Sequence, residues 1–238
     1  MSQNVRLYKV GGCVRDELLG IPSKDIDYAV ECSSFETMEK YIVENGGRIF
    51  LSKPEYFTIR AKLNGIDADF VLCRKEYGYS DGRRPDKVEV GTIFDDLARR
   101  DFTVNAIAEV VPPKGMFVDF KPALVDPHGG IEDLKNMTLR CVGNPIDRFN
   151  EDSLRIMRAI RFSITKGFAM DSSVANALWN PDVVKKLANV SKERIREELL
   201  RCFKHNTLKT IATLEYYPMV RDIVFDDNIL WLKPTIEE

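Results

Sequence analysis

The run Asp126-Pro127-His128-Gly129-Gly130 divides the sequence into two halves that cannot share one kind of architecture. Its glycines and proline mark a loop. Upstream, runs with the two-residue alternation of strands are interleaved with helical ones: strands at 6–10, 26–30, 57–63, 67–73 and 88–90, helices at 14–19 and 35–44. Asn64-Gly65 supplies the positive-φ turn of a hairpin between two of those strands. Downstream, the apolar spacing predicts helices at roughly 150–165, 172–187, 191–205 and 207–216, with Ser191 and Arg194 in an N-terminal turn. The pattern predicts an α+β start with a mixed sheet, then helices only, with a boundary near Arg140.

Composition fits this division. With 238 residues, 44% apolar and 30% charged, the chain has material for one large core or two modest ones. It contains no run of about 18 apolar residues, and its first residues lack the apolar centre of a secretory signal. The expectation is a cytoplasmic protein without a membrane span. The five cysteines (Cys13, Cys32, Cys73, Cys141, Cys202) form no Cys-x-x-Cys pair, which points to reduced packing residues rather than disulfides or zinc. A net charge of −2 does not decide nucleic-acid binding, because phosphate affinity comes from local basic clusters. Arg83-Arg84, Arg99-Arg100 and the series Arg155, Arg158, Arg161 are such clusters.

Three groups of residues carry chemistry. Gly11-Gly12 lies between a strand and a helix, where backbone N–H groups can approach a phosphate unobstructed. Asp25 and Asp27 flank Ile26, so strand alternation points both carboxylates to one side. Two anions on one face repel unless cations sit between them, and Mg²⁺ takes oxygen ligands with substrate phosphates completing its shell. Asp69, on a later strand able to pair beside the first, adds a third acid and suggests a two-metal site for in-line displacement at phosphorus. Farther on, Asp152 and Arg155 stand three apart on a predicted helix and share a face. A carboxylate acceptor beside a guanidinium donor complements the Watson–Crick edges of cytosine and adenine and mismatches those of uracil and guanine.

In this order and spacing the residues resemble those of the class II tRNA nucleotidyltransferases, the CCA-adding enzymes, and of their relatives the bacterial poly(A) polymerases. Gly11-Gly12-x-Val14-Arg15-Asp16 with Asp25-x-Asp27 looks like the catalytic motif, and Arg99-Arg100-Asp101-Phe102-Thr103-Val104-Asn105-Ala106 like the ribose-binding one. Asp126-Pro127-x-Gly129-Gly130 looks like the hinge motif. Glu151-Asp152-x-x-Arg155-x-x-Arg158-Ala159-x-Arg161-Phe162 is similar to the nucleotide-selecting motif, and Glu193-Arg194-Ile195 with Glu198 to the motif that steadies the helices behind it. The likeness covers about residues 7–205.

The resemblance implies a polymerase-β-like nucleotidyltransferase head over 1–140, an all-α neck over 141–205 and a short helical body remnant over 206–238. It implies that Asp25 and Asp27 bind Mg²⁺, with Asp69 at the position of the third catalytic carboxylate. Gly11, Gly12 and Arg15 would face the triphosphate, and Arg100, Asp101 and Asn105 the ribose and phosphates. Asp152 and Arg155, with Arg158 and Arg161, would serve the incoming CTP or ATP as a protein template. The tRNA 3′-hydroxyl would attack the α-phosphorus and release pyrophosphate, with no role for His128 or His205. The segment Tyr77 to Pro85 resembles the family's flexible loop, which favours addition of the terminal A.

Family members continue into body and tail domains, whereas this sequence runs only to Glu238. The expectation is a compact form in which tRNA grip comes from a reduced surface, a homo-oligomer or a helper. Two alternatives stand beside CCA addition: poly(A) synthesis on other RNA 3′ ends, and a non-catalytic RNA-binding module of the same fold.

Overall fold

The computed structural model describes residues 5–23, 25–80, 82, 84–112 and 122–225. In their described parts, residues 1–78 and 85–136 form one compact unit, and residues 79–84 and 137–238 a second.

The first unit is built in the order β1 (Arg6–Val10), α1 (Gly12–Leu18), β2 (Ile26–Glu31), α2 (Phe35–Glu44), β3 (Arg48–Lys53), β4 (Thr58–Leu63), β5 (Ile66–Leu72), β6 (Arg74–Tyr77), β7 (Lys87–Val90), α3 (Ile93–Ala98), β8 (Ala108–Val110), β9 (Leu124–Val125) and α4 (Gly130–Lys135). Seven strands form a sheet in the order β3-β4-β5-β2-β1-β8-β9, and β6 and β7 pair separately. The sheet is mixed because β2 and β5 run parallel while their outer neighbours run antiparallel.

Alternation decides which face of this sheet is core. Val30, Ile59, Ala61, Ala68, Phe70 and Leu72 are buried with Phe35, Met38 and Ile42 of α2. Tyr28 and Phe70, opposite each other in register, stack at 5.1 Å between centroids. Such a pair adds about 0.5–1.5 kcal/mol beyond its buried area. The positions between these residues, Asp27, Asp69 and Arg60 among them, turn to the opposite face. Asn64 and Gly65 have φ of 52° and 81° and join β4 to β5 with Leu63 opposite Ile66, as the sequence predicts.

The hinge run closes the first unit. Asp126 accepts from the backbone N–H groups of Gly130 and Ile131 at 2.7 and 2.9 Å and so caps α4. A Cβ on Gly130 would lie 2.1 Å from the carbonyl oxygen of Thr103, which explains the glycine.

The second unit contains β10 (Thr138–Leu139), α5 (Pro145–Glu151), α6 (Leu154–Thr165), β11 (Ala169–Met170), α7 (Ser172–Leu178), α8 (Pro181–Val184), α9 (Lys192–His205), α10 (Thr207–Tyr216) and α11 (Pro218–Val224). Two predicted helices differ from those observed. The helix expected over 150–165 is broken: Asp152 is extended (φ −144°, ψ 102°), ending α5 before α6 starts at Leu154. Asp152 caps the new helix, accepting from the N–H of Leu154 at 3.1 Å, a bond a mid-helix residue cannot make. The helix expected over 172–187 ends at Leu178, because Asn180 and Pro181 start a new turn in which Asn180 accepts from the N–H of Asp182. Helices α9 and α10 lie where the spacing predicts them, and α6 packs against α9.

The five cysteines are free and buried, as expected. Burial pushes the Cys202 thiol up to about 12, so it is an inert packing group. No helix among the described residues is long and apolar enough to cross a membrane. Asp81 and Arg83 of the expected flexible loop, and residues 226–238 of the expected body remnant, lie outside the described residues.

Candidate active site

Register assembles the acids of the first unit. Asp27 on β2 stands directly opposite Asp69 on the parallel strand β5, and Asp25, just ahead of β2, lies near enough for its charge to act on Asp27. The Asp27 carboxyl is held above the ordinary carboxylate range. The main cause is loss of hydration among its neighbours, although the residue keeps an exposed surface. The charge of Asp69 follows, and that of Asp25 adds to it, while Arg100 and Arg60 act in the opposite direction. These acids therefore form an electrostatically strained group. Among the described residues, no set of three or more His, Cys, Asp or Glu stands in metal-holding geometry.

On the β1 side of Asp27 lies the glycine turn. Gly11 has φ 76°, and a Cβ there would lie 2.9 Å from Nη1 of Arg100 and 4.0 Å from Oδ2 of Asp27. The glycine thus leaves room for a guanidinium beside Asp27. Arg100 donates to the carbonyl of Asn105 at 3.2 Å and to Oδ2 of Asp96 at 3.0 Å. Its Nε is buried with no hydrogen-bond partner, an unspent donor at the edge of the site.

Behind that edge is a buried polar chain. Arg15, 6% exposed, donates to Oδ1 of Asn105 at 2.6 Å and to Asp16 at 2.8 Å. Asn105 in turn donates to Asp101 at 3.0 Å. Arg15, Asp101 and Asn105 were expected to touch nucleotide, and the structure places all three in this network. The sequence reading missed Asp96. Buried on α3, it pairs with both Arg99 and Arg100 at 2.5 and 3.0 Å. Its spacing of three and four residues from those arginines was a legible signal.

The second unit holds the other expected site. Arg155 donates its backbone N–H to the Asp152 carbonyl at 3.0 Å, but among the described residues their side chains take other partners. Arg194, from the first turn of α9, donates to both carboxylate oxygens of Asp152 at 3.0 and 3.4 Å. Arg155 donates to Glu151 at 2.7 Å and to the carbonyl of Arg148 at 3.1 Å. Arg161 pairs with buried Glu198, while Arg158 lies 4.0 Å from the same carboxylate, and both guanidinium groups lie over the Phe162 ring. Nearby, a cavity of about 470 Å³ is lined by Arg84, Asn150, Ser153, Lys186, Ser191 and Arg194, among others.

Comparison with known proteins places this arrangement. Residues 7–140 match the model of the poly A polymerase head domain. The CCA-adding enzyme of Lactobacillus delbrueckii subsp. bulgaricus is 36% identical over 195 residues, which are 82% of this chain and 45% of that protein. The apo form of a CCA-adding enzyme superposes with a TM-score of 0.77 at 33% identity, over 94% of this chain and 51% of that one. A tRNA nucleotidyltransferase solved with a primer tRNA and an incoming ATP analogue superposes with a TM-score of 0.74 at 28% identity, over 93% of this chain and 60% of that one. The chain thus spans about half the length of the curated relative it matches. The strand order, the acids in register and the matched residues together make this chain a member of the poly A polymerase head-domain family, to which a nucleotidyltransferase fold is common.

Proposed function

We propose that the chain is a template-independent nucleotidyltransferase that adds C and A from CTP and ATP to the 3′ end of tRNA, releasing pyrophosphate. The observation that carries this reading is the parallel pairing of Asp27 with Asp69, flanked by Gly11 and Arg100. The similarity to a tRNA nucleotidyltransferase solved with a primer tRNA and an incoming ATP analogue supports tRNA and ATP as substrates.

The donors suit Mg²⁺. Asp27 and Asp69 share one sheet face with Asp25 just ahead of the strand, and Asp27 holds its proton more tightly through loss of hydration and the charges of Asp69 and Asp25, which Arg100 and Arg60 only partly offset. Mg²⁺ is commonly held by one or two carboxylates with substrate phosphates and water, so a preformed cage of three acids is not required. Asp25 and Asp27 hold the metal in this reading, with Asp69 as the third catalytic acid. When bound, the metal lowers the pKa of the attacking hydroxyl and stabilises charge at phosphorus. Gly11 and Gly12 admit the triphosphate to the backbone, and the partly exposed guanidinium of Arg100 faces it. Arg15, Asp101 and Asn105 hold the wall that carries Arg100 and meets the ribose. Asp152 and Arg155 select the base, supported by Arg158 and Arg161. We further assign 1–140 to the catalytic head, 141–205 to a neck and the helices that follow to the start of a body, in a cytoplasmic protein.

The test is to offer tRNAs ending before C, before the second C and before A, each NTP and Mg²⁺, and to sequence the products. Ordered addition of C, C and A with a stop is expected, and Asp27→Ala abolishes it without unfolding the protein. The family model matched is that of poly A polymerase heads, so the second reading is poly(A) synthesis. Long A tracts on unrelated RNAs would establish that one.

A further inference from the structure

The sheet face that bears Asp27 and Asp69 continues outward. In register, Asp69 is opposite Arg60 on β4, and Arg60 is opposite Leu51 on β3. On the same face Lys62 is opposite both Asp67 and Arg48, and Thr58 is opposite Lys53. α2 covers the other face, where Ser52 donates to Glu39 at 3.2 Å. The outward face is open: the Arg60 and Lys62 side chains are 60% and 49% exposed.

We propose that this face, Arg60 and Lys62 on β4 with Arg48, Lys53 and Tyr56 on and after β3, is the track for the single-stranded 3′ end of the RNA acceptor. It rests on the transferase reading. Three observations carry it. First, an in-line displacement brings the attacking hydroxyl from the side opposite the leaving pyrophosphate. Gly11 and Arg100 occupy the β1 side of Asp27, which leaves β5, β4 and β3 for the acceptor. Neighbouring strands lie ~4.8 Å apart, so β3 is ~10 Å from Asp69, within reach of the last nucleotides.

Second, charge is arranged for a polyanion. Arg48 and Lys62 are like charges directly opposite each other, a cross-strand pairing that costs stability and that phosphate relieves. Lys62 is only partly offset by Asp67, at 3.4 Å. Third, exposed rings stand beside the cations. Lys53 lies over the Tyr56 ring at 6.0 Å and Arg48 over Phe50 at 5.8 Å, and both rings are about half exposed. Cations that follow a backbone beside rings that stack bases are the pattern by which proteins hold single strands.

The experiment uses the full chain and a fluorescent tRNA lacking its terminal CCA, with binding read by anisotropy across a salt series. The variant Arg48→Ala/Lys53→Ala is expected to weaken RNA binding about tenfold and to flatten the salt slope by about 0.7 per lost phosphate contact. The KM for CTP and kcat at saturating RNA stay unchanged, and a thermal melt confirms the fold. A 4-thiouridine near the acceptor 3′ end is expected to crosslink to Tyr56. The track is overturned by an unchanged salt slope with unchanged RNA affinity, by a rise confined to the KM for CTP, or by crosslinks only to other surfaces. Binding is read without turnover, so a wild-type chain that transfers nothing overturns the transferase reading separately.

Discussion

Arg194 grips Asp152 through both carboxylate oxygens, so the acid proposed to read the base is oriented from a different helix than the arginine proposed to work beside it. The pair is partly shielded, with side chains 24% and 20% exposed. Arg194→Ala is expected to cost about 1–2 kcal/mol, mostly from leaving a half-buried carboxylate without its donor. A double-mutant cycle with Asp152→Ala in urea is expected to return a coupling of about 1 kcal/mol. Additive losses would show that the contact carries no energy. The single variant is also expected to raise UTP and GTP incorporation relative to CTP and ATP.

Asp96 is an acid-side stability determinant. Burial acts to raise its carboxyl, but Arg99 and Arg100 more than offset this and hold it below the ordinary carboxylate range. A depressed folded-state value means stability that is present above the unfolded value of about 3.9 and is lost as pH falls through the folded value. Asp96→Asn is expected to cost about 3 kcal/mol at neutral pH, since it removes the buried charge that Arg99 and Arg100 share, while Arg99 keeps Glu76 and Arg100 the carbonyl of Asn105. Urea midpoints from pH 7 down to pH 2.5 check this: the wild-type advantage should shrink on the acid side, and a constant gap would refute it.

Asp27 behaves in the opposite sense. Its folded-state value is raised, so the folded chain keeps the proton longer, and the associated stability is full below about pH 3.9 and lost as pH rises through the folded value. Above that window Mg²⁺ would take the proton's place if Asp27 holds the metal as proposed. The thermal midpoint of the metal-free protein should therefore fall as pH rises, more than in Asp27→Asn. Mg²⁺ at a hundredfold over its Kd should restore about 2.7 kcal/mol at pH 7.5 and less at pH 4.5. Equal Mg²⁺ stabilisation of the Asn variant would remove Asp27 from the metal site.

Gly11→Ala tests the turn beside Arg100. A side chain at φ 76° is strained by about 1–3 kcal/mol, and its Cβ meets Nη1 of Arg100 at 2.9 Å. A lower melting temperature and a higher KM for nucleotide are expected, with RNA affinity unaltered. An Ala variant with wild-type KM would show that Arg100 is not held for the nucleotide.

Local rules were enough for much of this protein. The alternation that sends Asp27 and Asp69 one way and Tyr28 and Phe70 the other depends on neighbours two residues apart, and the Asn64-Gly65 turn on its own backbone. Residues 35–44 read as a helix because α2 carries its apolar stripe and its Ser34 cap within ten residues. The break at Asp152 escaped because apolar periodicity continues across it. Only the side-chain oxygen bonded to the N–H of Leu154 ends one helix and starts the next.

By itself the sequence determined the strands and helices around the acids, though not β3, β6, β8, β9, α3 or α4, together with the change from a mixed sheet to helices, since each is a short-range consequence of periodicity, turn chemistry or spacing. Tertiary structure alone decided the partners. The parallel register that sets Asp69 against Asp27, the network that consumes Arg15, and the grip of Arg194 on Asp152 all join residues distant along the chain. Electrostatic pairing follows distance in space, and that distance exists only once the sheet and the helices have packed.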